Sequence, residues 1–241
     1  MQIKKETIPR RKFNENEYNF MTYEEAILYD YRTCFEYYKY LLKTRHPILF
    51  GFCPLKDYNS MIIKSDILYL SFSIYYAINF SLFTEDIIHN LFKNGGKYNI
   101  LDYYPTICIS FAISHIIIII IKFIFLSERN FMELKMQPTY MAACNTINKV
   151  KKNLIIKHFF FFILGLIFLF VFWVFISSLG AVYQNTQIIL LENTLISFGI
   201  ALVYPFIYNI IPCLFRLCSL NNRKAKNCSG LYNMNKLFQL L

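Results

Sequence analysis

The sequence holds no cluster of residues that specifies a reaction. G-x-S-x-G, H-E-x-x-H and P-loop patterns are absent, apolar runs carry no paired carboxylates, and the four histidines are scattered at His46, His89, His115 and His158. These absences argue against an enzyme. Seven cysteines are present without a C-x-x-C pair and without histidine at metal-ligand spacing, so neither a metal nor another cofactor is expected. Basic residues open the chain, but no apolar signal core follows them, and insertion into a membrane is expected to begin at an internal helix.

The longest absence is one of charge. From His158 to Leu191, 34 residues pass without an acid, a lysine or an arginine. The part from Phe159 to Leu179 reads FFFFILGLIFLFVFWVFISSL, which no soluble helix can hide on one face. A bilayer core takes about 20 apolar residues at roughly 1.5 Å rise each. A transmembrane helix is therefore expected here, and the 56% hydrophobic content of the 241-residue chain agrees with a membrane protein.

Three further crossings are expected. Ile67–Thr84 is an 18-residue charge-free run between Asp66 and Glu85, and Asn79 with several Ser and Tyr suits it to face neighbouring helices. Tyr103–Ile121 ends at Lys122 and carries His115 in its interior, where an ionisable residue is a candidate functional group. A neutral histidine bonded to a serine or a carbonyl is the commoner situation. Leu195–Phe215 ends at Arg216, and Pro205 and Pro212 should kink it.

Between and around the crossings, residues 1–21 read as a disordered polar tail. Thr22 and Glu25 form a capping box for a helix over Tyr23–Lys43, whose Ile27, Tyr31, Cys34, Phe35, Tyr38 and Leu41 share a face. That amphipathic helix, with the segment up to residue 66, is expected to dock within the protein or on the membrane surface. Pro47 ends it, and Ile48–Cys53 is an apolar patch too short to span. Residues 85–102 read as a loop containing Gly95-Gly96, and 122–157 as a cytosolic helical hairpin turning at Gln137-Pro138. Gly180–Thr194 reads as a short connection. In the basic tail 216–241, Leu231, Met234, Leu237, Phe238 and Leu241 predict an amphipathic helix lying on the membrane.

Charge orients these segments. Residues 1–66 hold 11 Lys and Arg, 122–157 hold seven and the tail five, against two in 85–102 and none in 180–194. Both termini and the hairpin therefore share the side with 23 of 25 positive charges, which positive-inside bias makes the cytosol. No cysteine then falls in an exterior loop, so a disulfide framework is not expected, and Cys218 and Cys228 beside a membrane end suit palmitoylation. Asn79 and Asn227 head N-x-S sequons within a crossing and the cytosolic tail, where neither is glycosylated. The net charge of +10 is matched to anionic cytosolic-leaflet lipid rather than nucleic acid. Lys149, Lys151, Lys152, Arg223, Lys224 and Lys226 are the candidate headgroup contacts.

The expected fold is thus an all-α integral membrane protein: four transmembrane helices over 67–215, amphipathic N- and C-terminal helices and a cytosolic hairpin. The plasma membrane is preferred to an internal one, and assembly with like or unlike subunits is expected for four helices without a large exterior domain. Two functions compete. One is a structural anchor and cytosolic docking platform. The other is an ion channel or transporter subunit, for which His115, Gln184, Asn185, Thr186, Gln187 and Asn209 are the candidate polar pore or packing residues. No potassium-filter motif or arginine-rich sensor helix supports the second.

Several segments carry a resemblance. They are TYEEAILYDYRT (22–33), LLKTRHPILFGFCPLKDYN (41–59), KNGGKYNILDYYP (93–105), FLSERNFMELK (125–135), AVYQNTQIILLENTLISFG (181–199) and YPFIYNIIPCLFRLCSLNNR (204–223). Together they resemble a multi-pass membrane module at the C-terminal end of large surface proteins of single-celled eukaryotes such as ciliates. The resemblance implies a membrane-embedded domain and brings no catalytic residue. In the proteins it resembles, a long exterior region and one more crossing precede this stretch.

Overall fold

A computed structural model describes residues 13–93, 100–135, 137, 139–182, 187–221 and 228–240, and among these every regular element is a helix. Four stretches are long and apolar enough to cross a membrane: Met61–Ser81, Leu101–Lys135, Tyr140–Ser178 and Gln187–Leu220. They contain helices α5 (Met61–Ser81), α7 (Ile100–Phe125), α9 (Tyr140–Val182) and α10 (Gln187–Tyr208). Helix α5 is the hub and packs against α7, α9 and α10. Its Ile67, Leu70, Ile74 and Tyr75 are buried with Ile118, Ile121 and Phe125 of α7, Phe161 of α9 and Ala201 of α10.

Helix α9 leans on this core from outside. Phe161 is buried, while Phe159, Phe160, Leu166, Phe170 and Trp173 are exposed. Such a surface is tolerable against hydrocarbon and costly against water. The helix is continuous over 43 residues, about 65 Å at 1.5 Å per residue. The expected crossing at Phe159–Leu179 is therefore only its second half.

The remaining elements divide between the two ends of the bundle. At the end where α5 starts and α7 finishes lie α1 (Glu15–Phe20), α2 (Tyr23–Tyr29), α3 (Cys34–Arg45), α4 (Pro47–Phe52), α8 (Glu128–Lys135), α11 (Ile210–Asn221) and α12 (Ser229–Leu240). Tyr38 donates to the Phe206 carbonyl at 2.9 Å, Asn59 accepts from the Ser127 amide at 2.8 Å, and Lys157 donates to the Leu126 carbonyl at 2.9 Å. The opposite end carries α6 (Glu85–Lys93), where Leu91 packs with Tyr103, Ile107 and Ile189. The segments grouped by charge are thus also grouped in space.

Several expectations change. The tail 1–21 contains α1, and Met21 is buried with Ala26, Leu220 and Tyr232; residues 1–12 lie outside the described residues. One helix over Tyr23–Lys43 becomes two. Thr33 accepts from the Glu36 amide while Glu36 accepts from the Thr33 amide, and this second capping box restarts the chain after Asp30. The break rotates the face: Tyr31 and Phe35 are 61% and 72% exposed, whereas Tyr37, Tyr40 and Leu41 are buried beside Cys213 of α11. Helix α3 accordingly docks within the protein.

The loop over 85–102 contains α6, opened by acids at Glu85 and Asp86 and closed by Lys93, with Gly95-Gly96 outside the described residues. Helix α7 stops at Phe125, inside the expected hairpin, and α8 packs on α9 as the hairpin's first arm. At 180–194, helix α9 runs to Val182 and α10 starts at Gln187, so Glu192 is helical. The last crossing is divided at Asn209, between α10 and α11. Finally, α12 packs on α11 rather than lying free. It buries Tyr232 and Asn235 and leaves Met234 and Leu237 exposed.

Candidate functional site

The polar interior is concentrated where α3, α10, α11 and α12 meet the bundle. Asp30, freed from helix by the Asp30–Thr33 break, accepts from the Arg32 side chain at 3.0 Å and forms an ion pair with Arg216 of α11 at 2.8 Å. Arg32 also reaches Glu15 at 3.0 Å, and its guanidinium lies 4.5 Å from the centre of the Tyr18 ring. The side chains of Asp30, Arg32 and Arg216 are almost fully buried. Burial acts to raise the Asp30 pKa, but the hydrogen bonds and charges of Arg32 and then Arg216 outweigh it and hold the carboxyl below its ordinary value. This is a clamp that joins the N-terminal segment to the end of the last long helix pair.

A second ionic contact ties α1 to α8. Glu17 pairs with Lys135 and accepts from the Tyr58 hydroxyl at 3.1 Å. Burial opposes ionisation of Glu17, while Lys135 and Tyr58 favour it, and the net pKa is lowered.

Next to the clamp, Arg45 ends α3. It donates to Asn209 Oδ1 at 2.8 Å and to the Phe238 carbonyl, and its guanidinium lies 5.1 Å from the Tyr208 ring centre. Arg45 therefore fills the joint between α10 and α11 and holds α12 there. Burial lowers its pKa. Beyond it, a cavity of about 30 Å³ is lined by Arg45, Ser71, Tyr75, His115 and Lys122, with Pro47, Phe50 and aliphatic residues completing the wall. Among the described residues, no carboxylate lines it.

His115 is held between aromatic rings. It stacks on Phe111 at 5.5 Å and meets Tyr204 edge-on at 5.3 Å, and among the described residues it bonds no serine or carbonyl. The Lys122 ammonium lies 4.4 Å from the Phe50 ring centre. Tyr75 is fully buried, and its hydroxyl has no hydrogen-bond partner among the described residues. Farther along, Asn79 of α5 and Ser197 of α10 bond one another across the bundle at 3.3 Å and 3.4 Å.

Of the candidate pore residues, three are described. His115 lines the cavity and Asn209 bonds Arg45, so these two share one region. Gln187 begins α10, 22 positions before Asn209, about 33 Å away along a helix. Gln184, Asn185 and Thr186 lie outside the described residues. Of the candidate headgroup contacts, Lys149, Lys151 and Lys152 are exposed on the first half of α9, and Arg223, Lys224 and Lys226 lie outside the described residues. A wider cleft between α8 and α9 is lined by Lys149, Asn130, Glu133 and Gln137.

Sequence reasoning passed over Asp30, Arg45, Tyr75, Lys122 and Arg216. Lys122 and Arg216 end apolar runs and read as boundary markers, and Tyr75 reads as packing. The T-x-x-E pattern at Thr33–Glu36 was the legible signal for the break that places Asp30. Among the described residues, no group of three His, Cys, Asp or Glu is placed to hold a metal ion. No protein-family model, curated protein or solved structure matches the chain.

Proposed function

We propose that the chain is a multi-pass integral membrane module, a structural anchor whose cytosolic end is a folded docking cap for anionic lipid headgroups and adaptor proteins. The observation that carries this reading is the gathering of α1–α4, α8, α11 and α12 at one end of the bundle, the end that the basic residues share. The Asp30–Arg216 pair and the Tyr37–Asn235 hydrogen bond close that cap on both terminal regions. The resemblance to the C-terminal membrane module of ciliate-type surface proteins supports the same reading. Both termini face the cytosol, the plasma membrane is the preferred location, and assembly with other subunits is expected.

Protease protection tests it. Tags at both ends should be digested on the cytosolic side of sealed membranes, while a tag in the 94–99 connection should be digested only from the other side, and carbonate washing should not extract the chain. Opposite accessibility of the two terminal tags would refute the arrangement. For docking, a photocrosslinker at Lys151 should capture anionic lipid, and capture of zwitterionic lipid in equal amount would count against it.

The second reading is an ion channel or transporter subunit. The cavity that joins His115, Arg45 and Lys122 inside the bundle favours it. Pure protein in a planar bilayer should then conduct, and a silent bilayer would weigh against it.

A further inference from the structure

We propose that the cavity between α3, α5, α7 and α10 is a binding site for a small monovalent anion of halide or nitrate size. Arg45 and Lys122 both line it, and among the described residues neither has a carboxylate partner. Arg45 is satisfied as a hydrogen-bond donor by neutral oxygens only, those of Asn209 and Phe238, so its charge persists. Lys122 meets the Phe50 ring and makes no ion pair among the described residues. Two like charges beside one apolar-walled space are unfavourable, because each loses hydration and each repels the other. An anion between them reverses the sign of both terms.

The remaining lining fits that occupant. Tyr75 lines the cavity and is fully buried, and among the described residues its hydroxyl has no hydrogen-bond partner. A buried donor without an acceptor is uncommon unless something absent from the protein fills the role. Ser71 already donates to the Ile67 carbonyl at 2.6 Å. His115 has its ring planes occupied by Phe111 and Tyr204, and its nitrogens make no hydrogen bond among the described residues. A cavity of 30 Å³ accepts two or three water-sized groups, given about 10–15 Å³ for each. That volume suits a halide better than a tetrahedral phosphate carried by a lipid. Binding at this site does not depend on whether the chain conducts ions or anchors a surface protein.

The test uses the full chain purified in a non-ionic detergent that contains no phosphate. Thermal unfolding is compared in sodium chloride, bromide or nitrate and in sodium gluconate, whose anion is too large for the cavity, at equal ionic strength. Saturating small anion should raise the midpoint by about 2–4 °C or more. Chloride-35 resonance broadening, reversed by competing bromide, should report the bound ion directly.

Lys122→Met keeps the apolar stem over Phe50 and removes the charge. It should raise stability in gluconate and erase the dependence on small anions, whereas a merely structural lysine would give lower stability in every salt. Tyr75→Phe should leave the gluconate midpoint unchanged and weaken anion binding severalfold, because its hydroxyl has no partner to lose among the described residues. Equal midpoints in all salts with no chloride broadening would overturn the proposal. Stabilisation by added phosphatidic acid, with none from halide, would assign the site to a lipid phosphate and overturn the small-anion assignment.

Discussion

Asp30 and Arg216 lie 186 positions apart in sequence and 2.8 Å apart in space, in a pair whose side chains are 2% and 5% exposed. The aspartate also holds Arg32, so one carboxylate is shared by two guanidiniums, with Glu15 as the second carboxylate on Arg32. Asp30→Ala should cost about 3–5 kcal/mol, because Arg216 remains buried without its counterion and Arg32 keeps only Glu15. Adding Arg216→Met should return part of that loss, since the second charge is then removed. Unfolding of the two single variants and the double variant in detergent gives the coupling, and additive losses would show that the pair does not act as a unit.

The same carboxylate sets an acid limit. Its folded pKa lies below the ordinary aspartate value of about 3.9, so its contribution is complete above that value and disappears as pH falls through the folded pKa. Glu17, also lowered, acts in the same direction through Lys135 and Tyr58. Stability of the wild type should therefore be flat with respect to these two groups above about pH 5 and fall steeply below about pH 4. Asp30→Asn should be less stable at neutral pH and show a shallower acid decline. An unchanged decline in that variant would place the acid sensitivity elsewhere.

The sequence made some of this architecture readable. Long charge-free runs locate helices that must avoid water, and they locate all four membrane-length elements. Counting lysine and arginine also grouped the segments that share an end. The helix boundaries were harder, because they depend on short side-chain contacts. Thr33 and Glu36 cap each other and divide an apparent single helix, and the resulting turn exchanges Phe35 for Tyr37 on the buried face. Arg45, Lys122 and Tyr75 come from three separate helices, and no spacing in the chain connects them. Their convergence depends on the way α7 packs on α5 while α3 reaches the bundle through α4 and α10, which only the folded chain expresses.

Close packing of α4 on α5 supplies a further test. A Cβ at Gly51 would lie 3.0 Å from Leu68 Cδ2 and 3.2 Å from Leu68 Cβ. The Gly51 carbonyl also accepts from Ser65 Oγ at 3.0 Å, which limits how far α4 can retreat. Gly51→Val should destabilise by about 1–3 kcal/mol, as expected for overpacking. Leu68→Ala in the same chain should relieve part of that cost by clearing the contact, although it is destabilising alone. A Gly51→Val chain with wild-type stability would mean that α4 is free to move.

Tyr37 supplies the latch for the C-terminal helix. Its hydroxyl donates to Asn235 Oδ1 at 2.8 Å in a fully buried contact, and the Arg216 guanidinium lies 4.7 Å from its ring centre. Tyr37→Phe preserves the ring and the cation contact but leaves the Asn235 oxygen without this donor. The expected loss is about 1–3 kcal/mol and should be felt at α12, where Asn235 loses this donor. Tryptic cleavage at Lys236 in detergent should then accelerate, since cleavage requires local opening of α12. Tyr37→Leu should accelerate it further, because it also removes the aromatic face under Arg216. Equal cleavage rates for wild type and Tyr37→Phe would show that the packing of Tyr232 and Phe238, rather than the hydrogen bond, holds the C-terminal helix in place.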